Sequence, residues 1–215
     1  MIRFIIISVR KRKMMFLIPV LVLGVFVPLL LRHYTVIYAG YEEQIMQYAL
    51  VLLHTCLPML VSWWIVLLYQ DFFGWDGNEL LYYYYPCSML VKQYATAVIV
   101  YVILESAVFC GYRLIVPAPD FVLAQLVSET LCVAAFTCLC AFLMQNTGAS
   151  MLVSIGYCVY LNMIDRSGYF NFISVFPYPD AYMVWDAGRV ENVLAAAAVC
   201  TAAVFVCMRY RRKYH

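Results

Sequence analysis

Four side chains stand out by position: His54, Glu105, Gln125 and Glu129 each interrupt a long apolar run. An ionisable group inside a bilayer is costly, so such a residue is a candidate site rather than an ordinary surface charge. Glu105 lies about seven residues before the end of the run Met89 to Tyr112, and Glu129 about eight after the start of the run Phe121 to Met144. With about 1.5 Å of rise per residue, both sit roughly 10 to 12 Å below the same membrane surface. His54, about nine residues into the run Ile45 to Tyr69 from that side, falls in the same layer, and Gln125 is one turn from Glu129. Two chemistries fit this layer. One is a substrate-facing or proton-linked cluster; the other is a set of buried hydrogen bonds that fixes helix packing, with His54 bonded to Glu105 or Glu129 and Glu105 carrying a proton. The spacing does not support a metal set made of the histidine and the two carboxylates.

These residues need long apolar helices to hold them, and the composition demands such helices. In 215 residues, 66% are hydrophobic and only 12% charged, with a mean hydropathy of +0.85, so the apolar surface exceeds what one water-soluble core can hide. The fold class expected is an all-α integral membrane protein with six transmembrane helices, forming a single transmembrane domain over residues 1–215. Cys56, Cys110, Cys132, Cys138, Cys140, Cys158, Cys200 and Cys207 lie within apolar runs and read as small hydrophobes. Cys138 and Cys140 point in different directions on a helix and make no ligand pair.

Along the chain, Met1 to Val9 followed by Arg10, Lys11, Arg12 and Lys13 predicts an N-terminal interfacial helix with a basic end. The spans predicted are Met14 to Leu31, Ile45 to Tyr69, Met89 to Tyr112, Phe121 to Met144, Gly148 to Ile164 and Val190 to Met208. The first has no good small-residue cleavage site after it and reads as an uncleaved span. Arg113 to Asp120 forms a turn, and Gln145, Asn146 and Thr147 leave room only for a hairpin. Asp165 to Gly188 is rich in Tyr, Phe and Trp and is expected at the membrane interface. In the fifth span Ser150, Ser154 and Gly156 permit close helix approach. Of the 14 Lys and Arg, ten fall with both termini and the loop before Lys92, and four (Arg32, Arg113, Arg166, Arg189) on the other side. That bias places both termini in the cytoplasm of a multi-pass plasma-membrane protein. The basic residues are juxtamembrane clusters, so no nucleic-acid partner is expected.

The longest polar interruption on the cytoplasmic side runs from Asp71 to Lys92. Asp76 and Glu79 have capping-box spacing, with Asp in the capping role, so a short helix is predicted to start there. Leu80, Leu81, Tyr84 and Tyr85 give it an apolar and aromatic side, and Pro86 with Ser88 ends it. The order of span, acidic residue, Gly77-Asn78-Glu79-Leu80-Leu81, Pro86-x-Ser88 and a Lys opening the next span resembles the permease subunits of type-2 ABC exporters. The match falls on Gly77, Glu79, Leu80, Leu81, Pro86 and Ser88. The resemblance implies a coupling helix over Asp76 to Tyr85 that docks a separate ABC ATPase. Asp76, Gly77, Glu79, Leu80, Leu81, Tyr84 and Tyr85 are then the docking residues. It further implies a homodimer, or a heterodimer with a related permease, and a path between the two bounded by the first, second and fifth spans. Resemblance to compact permeases of this kind, which lack large outer domains, implies an amphipathic peptide, lipid or drug-like cargo.

No Gly precedes Lys-Ser or Lys-Thr at phosphate-loop spacing, so ATP and Mg are expected on the partner ATPase, and this chain is expected to hold no cofactor and no catalytic residue. The Glu42-Glu43 pair is similar to the start of intramembrane CAAX-type proteases but lacks the Arg, His and Asn that should accompany it, and no G-x-S-x-G elbow is present. Other readings are a substrate-binding membrane subunit of a vitamin uptake system, a small intramembrane enzyme, or a non-transporting immunity protein. The first of these lacks a docking helix of this kind.

Overall fold

The computed structural model describes residues 13–37, 40, 42–73, 87–114, 118–163 and 187–214. Helix α1 (Lys13–Leu21) passes through a π-helical stretch, Val22–Phe26, into α2 (Val27–Ile37). Then come α3 (Glu42–Tyr69), a 3-10 turn at Gln70–Phe72, α4 (Cys87–Arg113), α5 (Phe121–Met144), α6 (Thr147–Met163) and α7 (Ala187–Tyr214). No strand occurs among the described residues.

Five of these stretches are long and apolar enough to cross a membrane: Met15–Ile37, Gln44–Tyr69, Met89–Arg113, Phe121–Met144 and Ala187–Cys207. Helix α6 is apolar over Thr147–Tyr160 but shorter. The predicted third and fourth spans coincide with α4 and α5 to within two residues at either end. The first and last spans extend beyond their predicted ends. Helix α2 carries Arg32 and His33 to Ile37, and α7 carries its basic tail to Tyr214. A helix whose backbone bonds are already made has no reason to stop where charge begins, since the charged side chains reach water by themselves. The predicted interfacial helix at Met1 to Val9 and the predicted coupling helix lie outside the described residues.

Helix α5 is the centre of the bundle. It packs most extensively against α7, α3 and α6, and it buries residues on every side, from Val122 and Leu126 to Ala141 and Phe142. A helix apolar all round is suited to this place. Its hairpin to α6 is built by local chemistry. Gln145 takes a left-handed conformation (φ 53°) and its N–H closes on the Ala141 carbonyl; the Asn146 side chain then caps α6 by accepting from the Ala149 N–H at 3.1 Å. At the other end, the Arg113–Asp120 ion pair spans the α4–α5 turn in an exposed position.

The π stretch has an identifiable cause. The Val27 N–H reaches the Val22 carbonyl five residues back, so the next bond in that register would need an N–H from Pro28, which has none. The Tyr112 hydroxyl of α4 instead donates to the Leu23 carbonyl at 3.4 Å. The chain ends of the bundle can also be located. Trp63 Nε1 near the end of α3 donates to the Met15 carbonyl at the start of α1, and the Tyr69 hydroxyl donates to the Leu90 carbonyl at the start of α4. Val91 and Tyr94 of α4 meet Cys138 of α5 and Thr201 and Phe205 of α7 around one small apolar cavity. The start of α1, the end of α3, the start of α4 and the second half of α7 therefore lie toward one end of the bundle.

Candidate functional site

Two polar contacts hold α3 against α5. His54 Nδ1 lies 2.7 Å from Glu129 Oε2, and the Ser62 and Thr137 hydroxyls lie 2.9 Å apart. Both pairs have a sequence separation of 75. A constant offset means that the two helices run in the same direction, in register over about two turns, or roughly 12 Å. Parallel neighbours need an odd number of crossings between them, and α4 supplies one.

The layer expected from depth contains His54, Glu129, Gln125 and Glu105, all 2% exposed or less. Of the two carboxylates open to His54, the structure pairs it with Glu129. Glu105 is held from α5 as well: the Thr130 hydroxyl, one residue beyond Glu129, donates to Glu105 Oε1 at 2.8 Å. Gln125 is buried one turn from Glu129 along the same helix. So one turn of α5 gathers side chains from α3 on one flank and α4 on the other. Asp76, Gly77, Glu79, Leu80, Leu81, Tyr84 and Tyr85 lie outside the described residues.

The chain matches no protein-family model, no curated protein and no solved structure. What the site can do therefore rests on its geometry. His54 is fully buried between helices of one chain, whereas the open side of α3 carries Gln44 and Tyr48. This places the imidazole inside the bundle rather than on a wall facing a second subunit. Its partner Glu129 accepts a charge-assisted or neutral hydrogen bond at that distance, and either form orients the ring. No group of three or more His, Cys, Asp or Glu suited to a metal ion occurs among the described residues.

A second polar cluster sits further along the same seam. Thr137 Oγ1 donates to Ser154 Oγ of α6 at 2.9 Å, with the Val133 carbonyl as an alternative acceptor at 2.7 Å, and Ser154 donates to the Ser150 carbonyl at 2.9 Å. Ser62, Thr137 and Ser154 thus join three helices, and all three are fully buried. Ser150 and Ser154 turn inward as expected of small residues at a helix contact. Gly156 does not, for it is exposed and a Cβ added there would meet nothing within 4 Å. Sequence reading missed Ser62 and Thr137 because neutral hydroxyls in apolar runs carry no charge signal. The signal available was the spacing: Ser62 and Thr137 each follow His54 and Glu129 by the same number of residues.

Between the two clusters α3 contains Pro58, which removes one backbone donor from the ladder. Tyr101 of α4, itself fully buried, donates its hydroxyl to the neighbouring Leu57 carbonyl at 2.5 Å and stacks edge-on to Trp64 at 5.4 Å. Tyr101 thus ties α3 to α4 beside Pro58, and α5 holds α3 on either side of it.

Proposed function

We propose that this chain is the membrane-spanning permease subunit of an ATP-driven exporter of the ABC type. In this reading it sits in the plasma membrane with both termini cytoplasmic, pairs with a second copy or a related permease, and docks a separate ATPase through the segment from Asp76 to Tyr85. ATP and Mg belong to that partner, and the cargo is an amphipathic peptide, lipid or drug-like molecule.

The observation that carries the reading is the position of the motif Gly77-Asn78-Glu79-Leu80-Leu81 with Pro86-x-Ser88. In sequence it lies between α3 and α4, each long enough to cross a membrane, and the end of α3 meets the start of α4 and the start of α1. A docking element must lie outside the bilayer on the nucleotide side, and a connection of this length between two spans meets that need. The large apolar faces left open support it too. Leu152, Val153, Val159 and Tyr160 on α6, and Leu17, Leu21, Val25 and Phe26 along α1 and its π stretch, are exposed within one chain and suit lipid or a second permease. The burial of His54 supports helix positioning, rather than direct cargo contact, as the role of the polar layer.

The test is purification of the tagged chain from its own membranes, with ATP hydrolysis of the purified material as the readout. The wild-type chain is expected to bring down a stoichiometric ATPase, and Leu81→Asp to lose it while still eluting as a folded, inserted protein. Hydrolysis that is absent from the wild type, or that survives Leu81→Asp unaltered, overturns the docking assignment.

A further inference from the structure

Glu105 is fully buried in the second half of α4, and its two oxygens have unequal surroundings. Oε1 accepts the Thr130 hydroxyl, while Oε2 has no hydrogen-bond partner among the described residues. The groups facing this level can be named element by element. On α3 it is His54, which is engaged with Glu129 at 2.7 Å; on α5 it is Glu129 itself, a like charge; on α4 one turn away it is Tyr101, whose hydroxyl is given to Leu57. Helix α7 packs on α5 with Val193 beside Cys132, which puts Arg189 and Glu191 nearest this level; Arg189 is half-buried and Glu191 exposed. Glu105 belongs to neither the His54–Glu129 nor the Arg113–Asp120 ion pair.

The layer therefore holds two acids and one base. An ionised Glu105 here has one neutral donor for about four lone-pair sites, and an isolated buried charge is far more costly than an unpaired neutral hydroxyl. We propose that Glu105 is a proton-binding site inside the bundle, held as the neutral carboxylic acid while α3, α4 and α5 are packed together. The His54–Glu129 pair takes the other role in the same layer: it keeps its own charge balance and fixes the helices. Parting α4 from α5 removes the Thr130 donor and admits water, and the proton on Oε2 then leaves to that water. Movement of these helices is thereby tied to binding or release of one proton, whether or not the chain works with an ATPase.

The experiment is infrared spectroscopy of the purified full chain in lipid at neutral pH. A carbonyl-stretch band of a protonated carboxylic acid is expected in the wild type, lost in Glu105→Gln and retained in Glu129→Gln. Glutamine mimics the neutral acid in shape and polarity, so Glu105→Gln is expected to keep the wild-type melting temperature, while Glu129→Gln is expected to lower it. Wild-type protein prepared with carboxyl-labelled glutamate gives a check that needs no variant, because the band must shift if a glutamic acid produces it. Absence of the band, its failure to shift, its survival in Glu105→Gln, or equal loss of stability in both variants overturns the assignment.

Discussion

His54 and Glu129 meet at one level of the α3–α5 seam, and eight residues further along both helices Ser62 and Thr137 meet at another. The two contacts share offset and burial and are both short, at 2.7 and 2.9 Å, yet they differ in what each side chain can do when its partner is taken away. Thr137 has an alternative acceptor in its own helix, the Val133 carbonyl, and Ser154 has the Ser150 carbonyl. The Glu129 carboxylate has no such alternative in its own helix backbone, because a carboxylate must be met by donors and a helix interior offers none. Two contacts of similar geometry should therefore differ in energy. The outer one, His54–Glu129, nearer the α4–α5 turn, fixes the seam and the inner one, Ser62–Thr137, farther from that turn, adjusts it.

Removing a member of the outer pair is the strongest test of this difference. Leaving a buried neutral group unpaired costs about 1–3 kcal/mol and leaving a buried charge about 3–5, so Glu129→Ala is expected to destabilise the chain by about 3 kcal/mol. Thermal unfolding in detergent measures it. The double variant His54→Phe with Glu129→Leu removes both polar groups and should recover much of that loss, giving a coupling of about 0.5–3 kcal/mol in a double-mutant cycle. Additive single losses would show that the two residues act on separate partners.

How far the sequence revealed this arrangement depends on the kind of signal. Run lengths were enough for α4 and α5, whose ends are set by Arg113 and Asp120 and by the Gln145-Asn146 turn. Depth counting was enough to bring His54, Glu105, Gln125 and Glu129 into one layer, because buried charge is rare and each residue adds a fixed rise. It could not choose between Glu105 and Glu129 as the partner of His54. That choice needs the rotation of α4 and α5 about their axes, which depends on packing across the whole bundle. The Ser62–Thr137–Ser154 cluster was hidden for the same reason, with no charge to mark it. The π stretch at Val22–Phe26 was hidden because Pro28 signals a defect in the ladder but not which carbonyl is left open or that Tyr112 will meet it.

The brace on α3 gives an intermediate test of the same contrast. Tyr101→Phe removes a neutral donor from the Leu57 carbonyl but leaves the ring packed on Trp64, so the loss should be that of one hydrogen bond, about 1 kcal/mol. Tyr112→Phe removes a longer bond, 3.4 Å against 2.5 Å, and should cost less. Chemical denaturation in a fixed detergent ranks the two. The opposite order would mean that the π-helical carbonyl of Leu23 is the more exposed defect, and that Pro58 is not the place where α3 needs support.

The smallest effect is expected at the inner contact, where it bears most directly on the comparison. Thr137→Val keeps the shape of the side chain and removes its hydroxyl from both Ser62 and Ser154. Interhelical hydrogen bonds between polar side chains in membrane proteins average about 0.6 kcal/mol, because the separated helices also find partners for them. Ser154 still donates to its own backbone after the change, and Ser62 can turn to a carbonyl one turn back on α3 in the manner common to serine. The expected loss is therefore about 0.6 kcal/mol in the same unfolding assay that reads Glu129→Ala. The helix and the element it faces are controlled, since both residues are on α5 and both face α3. If Thr137→Val costs as much as Glu129→Ala, backbone fall-back does not protect the hydroxyls, and the seam is held evenly at both levels by packing geometry.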